Sequence, residues 1–127
     1  GAATKLGVGV QNPTYNIHVQ GGAYCNGTNW VNGRSRKLKT DISALTPEQT
    51  QAVLEELQRT QVVNYRYLSE ASGERHIGLI AEDAPELLAT PERDGINTAD
   101  AIGFLLAVAK AQQAEIEALK AALAGRE

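Results

Sequence analysis

The chain of 127 residues carries 12 Lys and Arg against 15 Asp and Glu, a formal net charge of −3, so no global field draws it to nucleic acid or to an anionic membrane. Its apolar fraction of 43% suits a globular protein, but only 5% is aromatic, with one Phe, one Trp and no Met, which argues against a large aromatic-lined pocket. A single cysteine, Cys25, excludes an internal disulfide and any multi-cysteine zinc site, and His18 and His76 share no metal-ligand spacing, so neither metal nor cofactor is expected.

The opening "GAATKLGVGV" has no initiator Met and lacks the charged and apolar regions of a signal peptide, so it reads as the interior of a longer protein. No apolar run approaches the roughly 20 residues that span a bilayer. Residues 1–33 contain no helix signal, only short β-type runs punctuated by Gly, Asn and Pro. In "YNIHVQ", Tyr15, Ile17 and Val19 alternate with Asn16, His18 and Gln20, the period of a half-buried strand. So short a β segment closes no core alone and needs neighbours, from this chain or from copies of it.

Residues 34–98 read as a small α+β unit. Thr46 as N-cap, Pro47 at the first helical position and Gln49 in the capping-box place open a helix with Val53, Leu54 and Leu57 on one stripe. "QVVNYRYLS" follows as a strand, with Val63, Tyr65 and Tyr67 on one face. A turn at Ser72–Gly73 leads to "RHIGLIA", a mostly apolar strand expected to be buried on both faces, and "EDAPELLAT" is predicted as a short helix. Residues 99–127 form a long closing helix. Ile102, Leu105, Ala109, Gln112, Ile116, Leu119 and Leu123 step by alternating threes and fours, the a/d seam of a coiled coil. Gln112 places a polar, register-fixing group at a d position, and Glu115 and Lys120 fall where an interchain ion pair forms. The competing reading is one amphipathic helix packed on its own domain; the three-heptad pattern favours self-association.

The chemistry concentrates in "WVNGRSRKLKTDI", residues 30–42. Nothing aromatic interleaves the basic run Arg34–Lys39 for base stacking, so nucleic acid is not the expected partner. Ser35 and Lys39 have the residue types of a serine–lysine dyad, with Arg36 and Lys37 adding positive charge nearby. His76 is either a helper of that dyad or a histidine satisfied in the core. No phosphate loop, nucleophile elbow or paired-carboxylate arrangement appears.

In order, "W…RSRKLKTDI", "VVNYRY", "RHIGLIAED" and "LLAVAKAQQAEIEALKAAL" resemble the intramolecular chaperone family at the C-termini of phage tail spikes and tail fibres, of the endosialidase type. The resemblance covers about residues 30–124, and "LGVGVQNPTYNIHVQG" is similar to the stretch that often precedes this domain. It implies an intertwined homotrimer: a β stalk end (1–33), then a chaperone domain (34–127) made of the α+β part and the trimerising helix. It also implies that the chaperone templates the upstream stalk of its own chain, within a virion tail fibre or spike assembled in the bacterial cytoplasm. Interleaved strands from several chains have high contact order, and a terminal coiled coil raises their local concentration.

Many members of the family cut themselves off at the stalk junction. Setting Leu38–Lys39 on the family's "LK" puts Lys39 on the catalytic lysine and Arg34 on the nucleophilic serine, with Ser35 one place later. His76 and Glu82 fall on the strand implied to lie near the cleavage site. Arginine supplies no nucleophile, and a one-residue shift of the backbone is several times the ~1 Å misplacement that already costs on the order of a hundredfold in rate. The expected function is therefore a chaperone retained without self-cleavage. The alternatives are a self-cleaving serine peptidase using Ser35 and Lys39, with His76 and Glu82, and a coiled-coil adaptor whose basic run docks an acidic partner.

Overall fold

The computed structural model describes residues 4–126 of a small α+β protein with a β-sheet and a long C-terminal helix, in the class expected. Two compact units, Gly1–Ala44 and Leu45–Glu127, divide the chain.

The first unit is a four-stranded sheet in sequential order. β1 (Leu6–Val8) runs parallel to β2 (Ile17–Val19), which pairs antiparallel with β3 (Tyr24–Cys25), itself antiparallel to β4 (Trp30–Val31). β2 is the strand expected from the alternation in "YNIHVQ". Tyr15 stacks on Tyr24 with ring centroids 3.6 Å apart and planes within 8°, and His18 meets Tyr15 edge-on. The β3–β4 turn is held by Asn26, whose Oδ1 accepts from the backbone N–H of Thr28 at 3.0 Å, the Thr28 hydroxyl at 2.9 Å and the N–H of Asn29 at 2.9 Å. Such local side-chain bonds are why Asn closes turns.

In the second unit α1 (Pro47–Arg59) starts as its sequence requires. Thr46 Oγ1 accepts from Gln49 N–H at 3.1 Å, and Gln49 Oε1 accepts from Thr46 N–H at 2.8 Å, the reciprocal capping box. β5 (Val63–Tyr65) and β6 (His76–Gly78) form the expected hairpin, in the register Val63–Gly78, Asn64–Ile77, Tyr65–His76. Gly73 takes φ +71° in the connecting turn, a conformation open to glycine and costly for most side chains.

Two expectations fail here. β6 is not buried on both faces: His76 and Gly78 are half-buried, but Ile77 is 75% exposed. A two-stranded sheet turns one face to its own domain, and the second face carries only Asn64 opposite Ile77. The predicted short helix over "EDAPELLAT" is instead a 3-10 turn, Ala81–Asp83, followed by turns and a bridge between Ala89 and Ile96. Pro85 is the reason. It drives Ala84 to extended φ −75°, ψ 155° and has no N–H to continue a helix. Arg93 fills the gap in hydrogen bonding, its guanidinium donating to the carbonyls of Ala81 (3.4 Å), Glu82 (3.0 Å) and Ala84 (2.6 Å).

α2 (Thr98–Ala124) begins at Asn97, whose Oδ1 accepts from Asp100 N–H at 3.1 Å. Its N-terminal half closes the core: Phe104 and Val108 are buried with Leu88, and Val53, Leu54, Leu57, Leu79 and Ala101 pack around them. A second apolar stripe, Ile102, Leu105, Leu106 and Ala109, faces away from that core and is exposed. At about 100° per residue the two stripes are centred roughly 130° apart. From Gln112 to Arg126 every residue is exposed, Ile116, Leu119 and Leu123 among them.

Candidate functional site

Ser35 and Lys39 belong to the first unit, His76 and Glu82 to the second. Around Ser35 the chain leaves β4 and folds into a 3-10 turn, Arg36–Leu38. Gly33 sets the approach, since a Cβ there would lie 2.7 Å from the Gly21 carbonyl oxygen and 2.7 Å from Leu38 Cδ1. Only a residue without a side chain lets the strand end pass so close to the Gly21–Gly22 turn. Arg34 follows, exposed, at the position where the family resemblance puts the nucleophile. Ser35 is the cap of the turn: its Oγ accepts from Lys37 N–H at 3.2 Å, and its carbonyl accepts from Leu38 N–H at 3.0 Å. Lys39 closes the turn through its backbone N–H, which donates to the Arg36 carbonyl at 3.1 Å. Among the described residues no hydrogen bond joins the Ser35 hydroxyl to the Lys39 ammonium, and both side chains are exposed. What the turn presents to solvent is a cluster of cations around an exposed Leu38.

His76 is set by β6 at the neck of the hairpin. Its Nε2 lies 2.9 Å and 3.1 Å from the two carboxylate oxygens of Glu70, which the turn carries back to it. Tyr65, its cross-strand partner, and Tyr67 flank the ring with centroids 5.4 Å and 5.1 Å away. The two tyrosines meet edge to face, their hydroxyls 3.3 Å apart. That hydrogen bond, with burial and the nearby Glu70 charge adding to it, holds the Tyr65 hydroxyl above its ordinary pKa. Glu74 completes the group: one donor atom each from Glu70, Glu74 and His76 lie within 4.8 Å of one another, a grouping able to hold a cation.

Glu82 stands apart from this pair. It belongs to the 3-10 turn, exposed, and its carbonyl is taken by Arg93. Its side chain lines a groove of about 680 Å³ together with Tyr65, Tyr67, Ile80, Asp94 and Ile96. The tyrosines are thus shared between the His76 pair and the groove. Sequence reasoning paired His76 with Glu82 and missed Glu70. The alternation of Tyr65 and Tyr67 and the Ser72–Gly73 turn locate the aromatic wall beside His76, but no sequence pattern announces a glutamate folding back from a loop.

The α2 residues expected at the a and d positions of a coiled coil, Ile102, Leu105, Ala109, Gln112, Ile116, Leu119 and Leu123, are each exposed. Lys120 lies 3.8 Å from Glu117 of its own helix, and Gln113 donates to Glu117 at 2.8 Å. No helix among the described residues is long and apolar enough to cross a membrane. Residues 35–91 match the family described as chaperone of endosialidase; the match takes in the basic turn, α1, the hairpin and the Arg93-capped segment up to its first turns, and ends before α2. No curated protein and no solved structure matches the chain.

Proposed function

We propose that this domain, whose residues 35–91 match the family described as chaperone of endosialidase and so support an intramolecular chaperone role, trimerises through α2 and templates the β-rich segment that precedes it in a phage tail fibre or spike. The uncovered stripe on α2 carries this reading. A helix that already buries Phe104 and Val108 in its own domain has no internal use for Ile102, Leu105, Ile116, Leu119 and Leu123, all exposed. Apolar residues repeated at a/d spacing are unfavourable in water and favourable in the holes of a facing helix. Ile116 at a and Leu119 at d interlock with like residues of other copies, and Gln112 fixes the alignment.

We further infer that the domain stays attached to its stalk. Arg34 at the junction has no hydroxyl to attack a peptide, and the neighbouring Ser35 hydroxyl is engaged as the cap of its turn. A denaturing gel of the domain expressed with its upstream segment tests retention: one intact band is expected. A second band with a new N-terminus at Arg34 or Ser35, abolished by Ser35→Ala, overturns it. Arg34→Ser restores a hydroxyl at the aligned position and is expected to gain cleavage. Sedimentation equilibrium tests assembly, with a concentration-dependent trimer expected and a monomer at every concentration overturning the proposal.

A further inference from the structure

Two Asn-Gly steps occur in the first unit, Asn26–Gly27 and Asn32–Gly33, and the structure treats them differently. In such a step the glycine N–H is unhindered by a Cβ and lies one bond beyond the asparagine side chain. Asn26 is immobilised, its side-chain oxygen accepting three hydrogen bonds within its turn. Asn32 lies just past the end of β4 and is exposed, with no side-chain hydrogen bond among the described residues. Its successor cannot be anything but glycine, because a Cβ at position 33 would collide with the Gly21 carbonyl and Leu38. The packing that demands Gly33 therefore places the least hindered of backbone amides directly after a free asparagine.

We propose that Asn32 is a site of spontaneous, water-consuming modification at the junction ahead of the basic turn. The deprotonated Gly33 nitrogen attacks Asn32 Cγ, the Cγ–Nδ2 bond breaks, and ammonia leaves with the transferred proton, forming a cyclic imide. Water then opens the imide at either carbonyl. One opening yields aspartate in the normal backbone, the other isoaspartate, whose backbone runs through the side chain and is longer by one carbon. Both products add a carboxylate two residues from Arg34, and the isoaspartate also lengthens the chain where Gly33 passes Gly21 and Gly22.

The experiment is ageing of the intact chain at neutral pH and body temperature, followed by peptide mapping by mass spectrometry. The amide-to-acid mass increment is expected at Asn32, in two chromatographically distinct products, at a rate about tenfold or more above that at Asn26, whose oxygen must first leave its donors. Asn32→Gln, which would have to close a larger ring, is expected to remove the signal at position 32 and leave position 26 unchanged. Thr28→Ala, which removes one donor to Asn26, is expected to narrow the gap between the sites. Equal rates at the two sites, or modification of Asn26 first, overturns the proposal, as does an aged chain unmodified at Asn32.

Discussion

Leu119 and Phe104 lie on the same helix but belong to different structures, and truncating each to alanine separates assembly from folding. Phe104 is 5% exposed and packed with Leu88 and Val108, so Phe104→Ala removes a core side chain at a cost of ~3–5 kcal/mol. That is a large share of the ~5–15 kcal/mol typical of a whole domain, and the variant is expected to melt far below the parent at any concentration. Leu119 is 63% exposed in the single chain, so Leu119→Ala should change the stability of the isolated subunit by no more than about 0.5 kcal/mol. In a trimer the same leucine buries its remaining surface. At ~1.5–3 kcal/mol for a fully buried leucine, the exposed fraction is worth about 1–2 kcal/mol per chain and ~3–6 kcal/mol per trimer. The trimer association constant should then fall by roughly two to four decades. Sedimentation equilibrium over a dilution series, with thermal melts by circular dichroism at the same concentrations, reads both quantities. Association unchanged by Leu119→Ala refutes the assignment of the stripe, and so does a loss of subunit stability at concentrations where no trimer forms.

Two further outcomes follow from the second unit. Arg93→Ala removes a charged donor that serves three carbonyls of the 81–84 segment and should cost ~1.5–3 kcal/mol, seen as a lowered denaturant midpoint with an unchanged slope; no shift would mean that water replaces the guanidinium without loss. The Tyr65 hydroxyl titrates above its ordinary 10.0 in the folded chain, so its contribution is fully present below that pH and is lost as pH rises through the raised value. An alkaline loosening of the hairpin, followed by tyrosinate absorbance and circular dichroism, should be reduced in Tyr65→Phe, and an unaltered alkaline transition would discount the Tyr65–Tyr67 bond.

Which features could be read from the sequence depends on how far apart the interacting residues lie. The capping box at Thr46 and Gln49 is complete within four residues, and the strands of β2 and of the β5–β6 hairpin announce themselves by alternation and a Gly turn, so these emerge without tertiary information. The a/d spacing on α2 is likewise a local period, and the residues that carry it are exposed in the single chain. The core-facing stripe, Phe104 and Val108, escaped because two apolar faces on one helix blur each other's periodicity. Apolarity alone suggested that β6 was buried, whereas Ile77 is exposed, since coverage depends on how many layers the domain has. Helix propensity in "EDAPELLAT" gave way to one proline, and the arginine that satisfies the stranded carbonyls comes from 9 to 12 residues away. The pairing of Glu70 with His76 likewise depends on a loop folding back, which no period encodes.

The angular offset between the two stripes of α2 makes this helix a keyed shaft. Its upper half is locked in rotation by the Phe104–Val108 face against α1, so the phase of every residue beyond Ala109 is indexed to the globular part. A single residue inserted near Ala111 would turn the exposed leucines by about 100° relative to that key, whereas seven would bring them back to within about 20°. The lower half of α2 can therefore vary in length, but in steps of a heptad: its reach is adjustable, its azimuth is not.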